Sequence, residues 1–210
     1  GAYIEITMDM LREFGINVTF DGEEYIVDGN QKAVIGDYYI EPDVSAACYF
    51  YAMAAVTGGK ITVRNVFESS VQGDMKFLNV LAEMGCEVTE TKDGITVSRT
   101  GGLKGIDVNM NNFSDQALTL AAIAPFADGD TVIRNVGHIR GQECDRMAAI
   151  INELTKCGVA CHISGDDIFI SSGAAHGAEI ETYDDHRVAM AFTVTGLSCE
   201  IGRASCRERV

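Results

Sequence analysis

An internal repeat constrains the fold of this chain more than any other feature. Gly59-Lys60-Ile61-Thr62-Val63-Arg64-Asn65-Val66 matches Gly129-Asp130-Thr131-Val132-Ile133-Arg134-Asn135-Val136, an offset of about 70 residues. Upstream of each copy an aspartate leads into an alanine-rich run. Asp43 precedes Ser45-Ala46-Ala47-Cys48-Tyr49-Phe50-Tyr51-Ala52, and Asp115 precedes Ala117-Leu118-Thr119-Leu120-Ala121-Ala122. Downstream, Gln72 to Gly85 parallels Gln142 to Gly158, both apolar at helical spacing. Two strand-like runs close each copy: Glu87-Val88-Thr89 with Gly94 to Val97, then Ala160 to Ile163 with Asp167 to Ile170. Asp185-His186-Arg187-Val188-Ala189-Met190-Ala191-Phe192 opens a third copy. A period this long does not suit a solenoid. Each unit reads strand, buried helix, strand, amphipathic helix, two strands. The expected fold class is therefore α/β, with repeated βαβαββ units packed around buried helices and sheets outside.

Local signals fill in the rest. Residues 3–14 read as a helix closed by Gly15. Ile16 to Phe20 and Glu24 to Val27 alternate as strands around Asp21-Gly22. Tyr38 to Glu41 reads as a short strand ended by Pro42-Asp43. The helix that follows is apolar nearly all round, which predicts burial on most sides, and Gly58-Gly59 stops it.

Composition narrows the function. Of 210 residues, 47% are apolar and 22% charged, enough for one large domain or two small ones. A net charge of −15 opposes a nucleic-acid or anionic-membrane partner. An anionic ligand would need arginines gathered locally against that field. No apolar run reaches membrane-span length and no signal peptide opens the chain. The seven cysteines show no CxxC and no metal spacing with histidine, and read as reduced core thiols of a cytoplasmic protein. Cys157 and Cys161 straddle Gly158, across a helix end. Residues 200–210 place three arginines in eleven residues of an arginine-poor chain, and are expected to be a non-native tail. The chain reads as an internal fragment, cut at both ends.

Chemistry concentrates in Gly137-His138-Ile139-Arg140-Gly141-Gln142-Glu143-Cys144-Asp145-Arg146, where a strand hands over to a helix. Free N–H groups at a helix start suit anions, and Arg140 and Arg146 read as a clamp for carboxylate or phosphate. Glu143 is either their charge partner or an acid/base group. Asp115 is either a first-turn acid or N-cap, or a general base on an anion-binding face. Arg187 stands at the start of a buried helix, where an unpaired guanidinium is costly, so anion capture is the better reading. His186 gains interest beside it. His138, His162 and His176 carry no independent signal, and His162 reads as structural. The aspartates opening the buried helices (Asp43, Asp115, and Asp184 or Asp185) are expected at one end of the domain, so that several helix N-termini converge there.

At these residues the sequence resembles the 5-enolpyruvylshikimate-3-phosphate synthase family. The matching blocks are Tyr3 to Thr7, Glu41 to Phe50, Ser70 to Asp74, Asp115 to Thr119, Arg140 to Arg146 and Thr182 to Met190, in family order over nearly all of residues 1–199. The resemblance implies two globular domains of βαβαββ units in pseudo-threefold arrangement, with the active site in the cleft. Residues 1–40 would be a remnant of the N-terminal domain and 41–199 a truncated C-terminal domain. The implied reaction transfers enolpyruvyl from phosphoenolpyruvate to the 5-hydroxyl of shikimate 3-phosphate and releases phosphate. No metal or organic cofactor is implied, and the full-length enzyme is expected to be a monomer. Asp115 would take the hydroxyl proton and Glu143 would handle the proton on the methylene carbon. Arg146 and Arg187 would hold phosphoenolpyruvate, with His186 hydrogen-bonding nearby. Tyr3 and Gln142 would lie at the shikimate phosphate end, with His138 also near substrate.

The family commonly has lysine where Gln142 stands and asparagine where His138 stands. Its N-terminal lysine and Gly-Ser-Lys-Ser block, its Asn-Ala-Gly-Thr block with a downstream arginine, its Ser-Ser-Gln block and its C-terminal lysine are not found here. On the resemblance, the chain forms about one wall of the cleft and is expected to be inactive alone. Two alternatives stand: a UDP-N-acetylglucosamine enolpyruvyl transferase-like enzyme, and a non-catalytic anion-binding domain. The Tyr183 to Arg187 block follows the shikimate-branch pattern.

Overall fold

In the computed structural model, which describes residues 2–34, 36–173 and 175–199, the chain opens with α1 (Ala2–Glu13). Gly15 follows at φ +74, a left-handed conformation that stops the helix. β1 (Val18–Phe20) and β2 (Tyr25–Val27) then pair antiparallel, with Val18 opposite Val27. The Asp21 carboxylate holds the turn by accepting from the N–H groups of Glu23 and Glu24.

The first repeat unit begins at Asp43, whose side chain caps α2 (Val44–Thr57) by accepting from the Ala46 N–H. Gly58, left-handed at φ +69, closes it. Apolar residues on nearly every side suit a helix enclosed by neighbours, and Cys48, Tyr51, Ala52 and Ala55 are fully buried. β3 (Lys60–Arg64), α3 (Lys76–Glu83), β4 (Glu87–Thr91) and β5 (Gly94–Ser98) follow, giving an antiparallel sheet in the order β3-β5-β4.

The second unit comprises β6 (Leu103–Lys104), β7 (Asp107–Asn109), α4 (Ala117–Ile123), β8 (Ala127–Asp128), β9 (Thr131–Arg134), α5 (Arg146–Lys156), β10 (Cys161–Ser164) and β11 (Asp167–Ile170). Its sheet runs β10-β11-β9-β7, with β7 parallel to β9 and the other pairs antiparallel. Thus β7-α4-β9-α5-β10-β11 is the full βαβαββ unit. α6 (His186–Gly196) opens the third copy and packs on α4 and α2, with Thr195 Oγ1 donating to Ala122 O at 2.9 Å. These three helices form the centre of the core, with sheets outside.

The repeat is visible in the backbone itself. Asn65 and Asn135, each just past the end of its strand, take φ +62 and +58. Asparagine tolerates that region better than most residues. In each case the closing hairpin holds the N–H: Asp93 O accepts from Asn65 and Asp167 Oδ1 from Asn135, both at 2.9 Å.

Several expectations change. Tyr38 to Glu41 finds no strand partner among the described residues, and Tyr39 and Ile40 are 71% and 81% exposed. Among the described residues the first unit therefore lacks its opening strand. The alanine-rich helix after Asp115 starts as a 3-10 turn (Ser114–Gln116) and ends in another (Ala124–Phe126), where Pro125 lacks the N–H to continue. The pairs β6–β8 and the short β7 carried too few residues for alternation to reveal them. Residues 200–210, expected to be a non-native tail, lie outside the described residues. The core is built from residues 44–194, whereas in residues 3–34 and 36–40 only Met8 and Val18 are buried apolar groups. Phe20, Tyr25, Ile26 and Val27 are all exposed there.

Gly94 turns the β4–β5 hairpin at φ +136, and an added Cβ would lie 2.1 Å from Val63 O. Gly94→Ala is expected to cost at least about 3 kcal/mol of unfolding free energy, through clash added to backbone strain. Gly22, at φ +109 with nothing within 4 Å, provides the comparison: Gly22→Ala is expected to cost about 1–3 kcal/mol from strain alone. Urea midpoints of the two variants at a common slope check the difference.

Candidate functional site

Arg146 is the first residue of α5, and its side chain is only 1% exposed. Asp145 caps that helix by accepting from the Ala148 N–H, which fixes where the arginine departs. The guanidinium then meets groups from three other segments. Nε donates to Asp185 Oδ2 at 2.7 Å. Nη2 donates to Glu143 Oε2 at 2.6 Å and to Asp185 Oδ1 at 3.4 Å. Nη1 donates to Asp115 Oδ1 at 3.3 Å and to Gln142 Oε1. An arginine has five N–H donors, and all five are engaged.

Asp185 caps α6, accepting from the Arg187 N–H at 2.8 Å, and its side chain is 0% exposed. Burial pushes its carboxyl upward, but the Arg146 hydrogen bond and the Arg187 N–H outweigh that and hold it below its ordinary value. Arg187, in the first turn of the same helix, reaches Asp115 Oδ2 with Nη2 at 3.2 Å. Burial works against its charge, and the Asp115 carboxylate restores it.

Asp115 is thus the shared acceptor. Besides both arginines it takes the Tyr3 hydroxyl on Oδ2 at 2.8 Å and Gln142 Nε2 on Oδ1 at 3.3 Å. Burial, then the bond to Asp115, pushes the Tyr3 phenol well above its ordinary range, so it remains a donor. Asp115 lies inside the 3-10 turn and makes no capping bond, so the N-cap reading of this residue is replaced.

A second polar set lies behind the first. Asp74 Oδ2 accepts from Ser45 Oγ and from Gln116 Nε2, the latter at 2.8 Å. Gln116 Oε1 accepts from Thr119 Oγ1 at 2.9 Å. Asp74 Oδ1 is buried with no partner among the described residues. Burial raises the Asp74 carboxyl beyond what the Ser45 and Gln116 bonds recover, and the nearby Asp115 charge adds to the rise. Through Asp74 the starts of α2 and of the turn leading into α4 are tied together. The starts of α2, α4, α5 and α6 accordingly meet at one end of the molecule.

The other candidates are distributed differently. Glu143 is Arg146's ion partner, yet its side chain is 51% exposed. His138 Nε2 pairs with Ser114 Oγ at 2.7 Å, next to Asp115 in sequence. His186 is exposed and makes no side-chain hydrogen bond among the described residues. Arg140 does not join Arg146 in a clamp. It turns to Asp166 Oδ1 at 3.2 Å and Gly165 O at 2.8 Å, tying the Gly137–Gly141 turn to the β10–β11 hairpin. His162 stacks on its cross-strand neighbour Phe169, centroids 4.8 Å apart. Sequence spacing gives no signal for Asp74, Ser45 and Gln116, because a buried acceptor and its donors are set by tertiary packing.

Among the described residues the arginine cluster counts three carboxylates (Asp115, Glu143, Asp185) against two guanidinium groups. No three His, Cys, Asp or Glu among them are arranged to hold a metal, and no described helix is long and apolar enough to cross a membrane. The six described cysteines are free, and burial pushes Cys144 and Cys157 up to about 11.

The fold is that of an α/β protein of the enolpyruvyl transferase type. The chain belongs to the EPSP synthase (3-phosphoshikimate 1-carboxyvinyltransferase) family, whose profile matches residues 1–208. A 3-phosphoshikimate 1-carboxyvinyltransferase from Nostoc punctiforme is 45% identical over 197 residues, 93% of this chain and 46% of its own length. A chloroplastic one from Nicotiana tabacum is 45% identical over 204 residues, 91% of this chain and 39% of its own. The structure of EPSP synthase from Acinetobacter baumannii superposes with a TM-score of 0.78 at 28% identity, covering 92% of this chain and 48% of that one. The chain spans about half the length of the curated relatives it matches.

Arg146→Met leaves Asp185 charged, buried and without its guanidinium, and is expected to destabilise the fold by about 3–5 kcal/mol. Asp185→Asn in the same chain removes the stranded charge but keeps an N-cap acceptor, and is expected to recover most of that loss in urea unfolding. The pH dependence has a defined sign. Asp185 titrates below its ordinary value of 3.8, so its contribution is full above that pH and is lost as pH falls through the lower folded value. Urea midpoints below pH 4 are expected to fall more steeply for the wild type than for Asp185→Asn.

Proposed function

We propose that this chain forms one wall of a site that transfers enolpyruvyl from phosphoenolpyruvate to the 5-hydroxyl of shikimate 3-phosphate, releasing phosphate. One observation carries the reading: carboxylates and guanidinium groups far apart in sequence, Asp115, Glu143, Arg146 and Arg187, form one connected cluster. Transfer by addition and elimination needs a base for the hydroxyl proton and a group that gives and then retrieves a proton at the methylene carbon. Asp115 takes the first role, since Tyr3 already presents a hydroxyl hydrogen to it at 2.8 Å. Glu143 takes the second, being the more accessible of the two carboxylates. Arg187, with Asp115 as its single carboxylate partner among the described residues, is the cation facing the ligand, and Arg146 fixes the two carboxylates relative to each other. Tyr3, Gln142 and His138 line the shikimate side, and His186 is free to bond the ligand. The relatives named above carry the shikimate-branch activity in their names, which favours this substrate pair over a UDP-sugar.

Charge argues that the wall does not work alone. Both substrates are polyanions, and three carboxylates against two guanidinium groups give no surplus of positive charge to receive them. The purified chain is expected to release no phosphate from the two substrates together, and measurable turnover would refute that part of the proposal. Phosphoenolpyruvate at millimolar concentration is expected to shift the backbone NMR signals of Asp115, Glu143 and Arg187, and not to do so in Arg187→Met. Signals that stay fixed in the wild type at tens of millimolar would remove the basis for a ligand-facing Arg187.

A further inference from the structure

The segment just before α6 has an improbable backbone. Tyr183 and Asp184 both take left-handed φ, +56 and +53. The Asp185 N–H donates to Thr182 O at 2.9 Å, so the four residues close as a turn with both central residues left-handed. Such turns are made overwhelmingly by glycine, asparagine and aspartate, because a Cβ crowds the backbone in that region. A tyrosine at the first central position needs an external hold. The residues that follow at once are Asp185 and Arg187, the cap and the cation of the cluster.

The hold comes from α5. Glu153 is fully buried in that helix. Its Oε1 accepts from the Tyr183 hydroxyl at 2.8 Å and its Oε2 from the Glu181 N–H at 3.1 Å. Lys156 Nζ donates to both oxygens, at 2.8 and 2.9 Å, and neutralises the charge. Asn152 Nδ2 adds a bond to the Tyr183 oxygen at 3.3 Å. Arg146 and Glu153 are seven residues apart, so they project from the same face of α5, about 10 Å along its axis. One helix face therefore grips the segment twice: Glu153 before and within the turn, Arg146 after it.

We propose that Glu153 and Tyr183 are positioning residues of the site, holding a left-handed turn that sets where Asp185 and Arg187 stand. They touch no ligand themselves and act through the backbone between them and the cluster. The functional meaning rests on the reading of Arg187 as the ligand-facing cation. The hold itself does not.

Tyr183→Phe in the full chain tests it, since the ring stays and only the hydroxyl is lost. Amide exchange at Asp185 and Arg187 is expected to speed up at least tenfold while amides of β9 and β11 keep their rates. The Arg187 Nη–H signals are expected to lose the chemical-shift offset that the Nη2 contact with Asp115 gives them. Tyr183→Gly, which takes positive φ without strain and so needs no hold, is expected to keep both close to wild type. Glu153→Gln, which keeps one acceptor for the hydroxyl, is expected to fall between wild type and Tyr183→Phe. Exchange that rises equally at Asp185, Arg187 and the sheet would mean loss of general stability only and would overturn the proposal. So would an unchanged Arg187 signal in Tyr183→Phe, or a Tyr183→Gly chain loosened as much as Tyr183→Phe. Phosphoenolpyruvate separates the two claims. A wild type that ignores it, with a Tyr183→Phe that still frees Arg187, sinks the functional reading and leaves the positioning role standing.

Discussion

The Arg146 guanidinium is the contact on which the rest of this structure turns. It joins the turn that presents Asp115, the turn that carries Gln142 and Glu143, and the cap of α6, three segments that share no backbone hydrogen-bond ladder. A buried charge is tolerable only when every donor has an acceptor and the opposing charges lie close. Those two conditions constrain how the carboxylates are spaced around the guanidinium. Apolar packing of α2, α4 and α6 brings the helix starts to one end, but such packing is permissive about direction. The fork geometry of one arginine supplies the direction.

Repetition explains why helix starts were available to build on. In each unit a buried helix enters from the same side, so polar groups that cannot be buried along the helix collect where it begins. Asp43, Asp145 and Asp185 satisfy N–H groups there. Asp74 and Asp115 do not cap their own helices and are used otherwise, one as a strut between units and one as the common acceptor. The same design has left traces with no bearing on the site. The left-handed Asn65 and Asn135 recur at equivalent points because each strand must turn away from its hairpin in the same manner.

Much of this was legible in the sequence, and the exceptions have physical reasons. The helices and most strands follow from periodicity, because burial on one face imposes a period that composition alone does not hide. A charge at the mouth of an apolar helix demands a partner, which marks Asp115 and Arg187 as worth attention but does not show that the two pair with each other. Arg140 is close to Arg146 in sequence but not in space, because it lies inside the Gly137–Gly141 3-10 turn and faces Asp166. Tyr38 to Glu41 has strand composition but no neighbouring edge, and a strand exists only as a pair. Asp74 and Glu153 escaped notice because their meaning depends on partners 42 and 30 residues away, Gln116 and Tyr183, which no local pattern encodes.

Saturation of Arg146 changes what recognition means at this place. A lone surface cation adds an anion to itself, and added salt weakens that attraction directly. Here an incoming anion finds no vacant N–H on the central arginine, so its arrival there is a substitution: one carboxylate swings out as another acceptor takes its seat. Glu143, the most exposed of the three, is the group free to leave. Selectivity at that position then follows from the shape of the acceptor and from the ease with which a side chain rotates, far more than from the strength of the field.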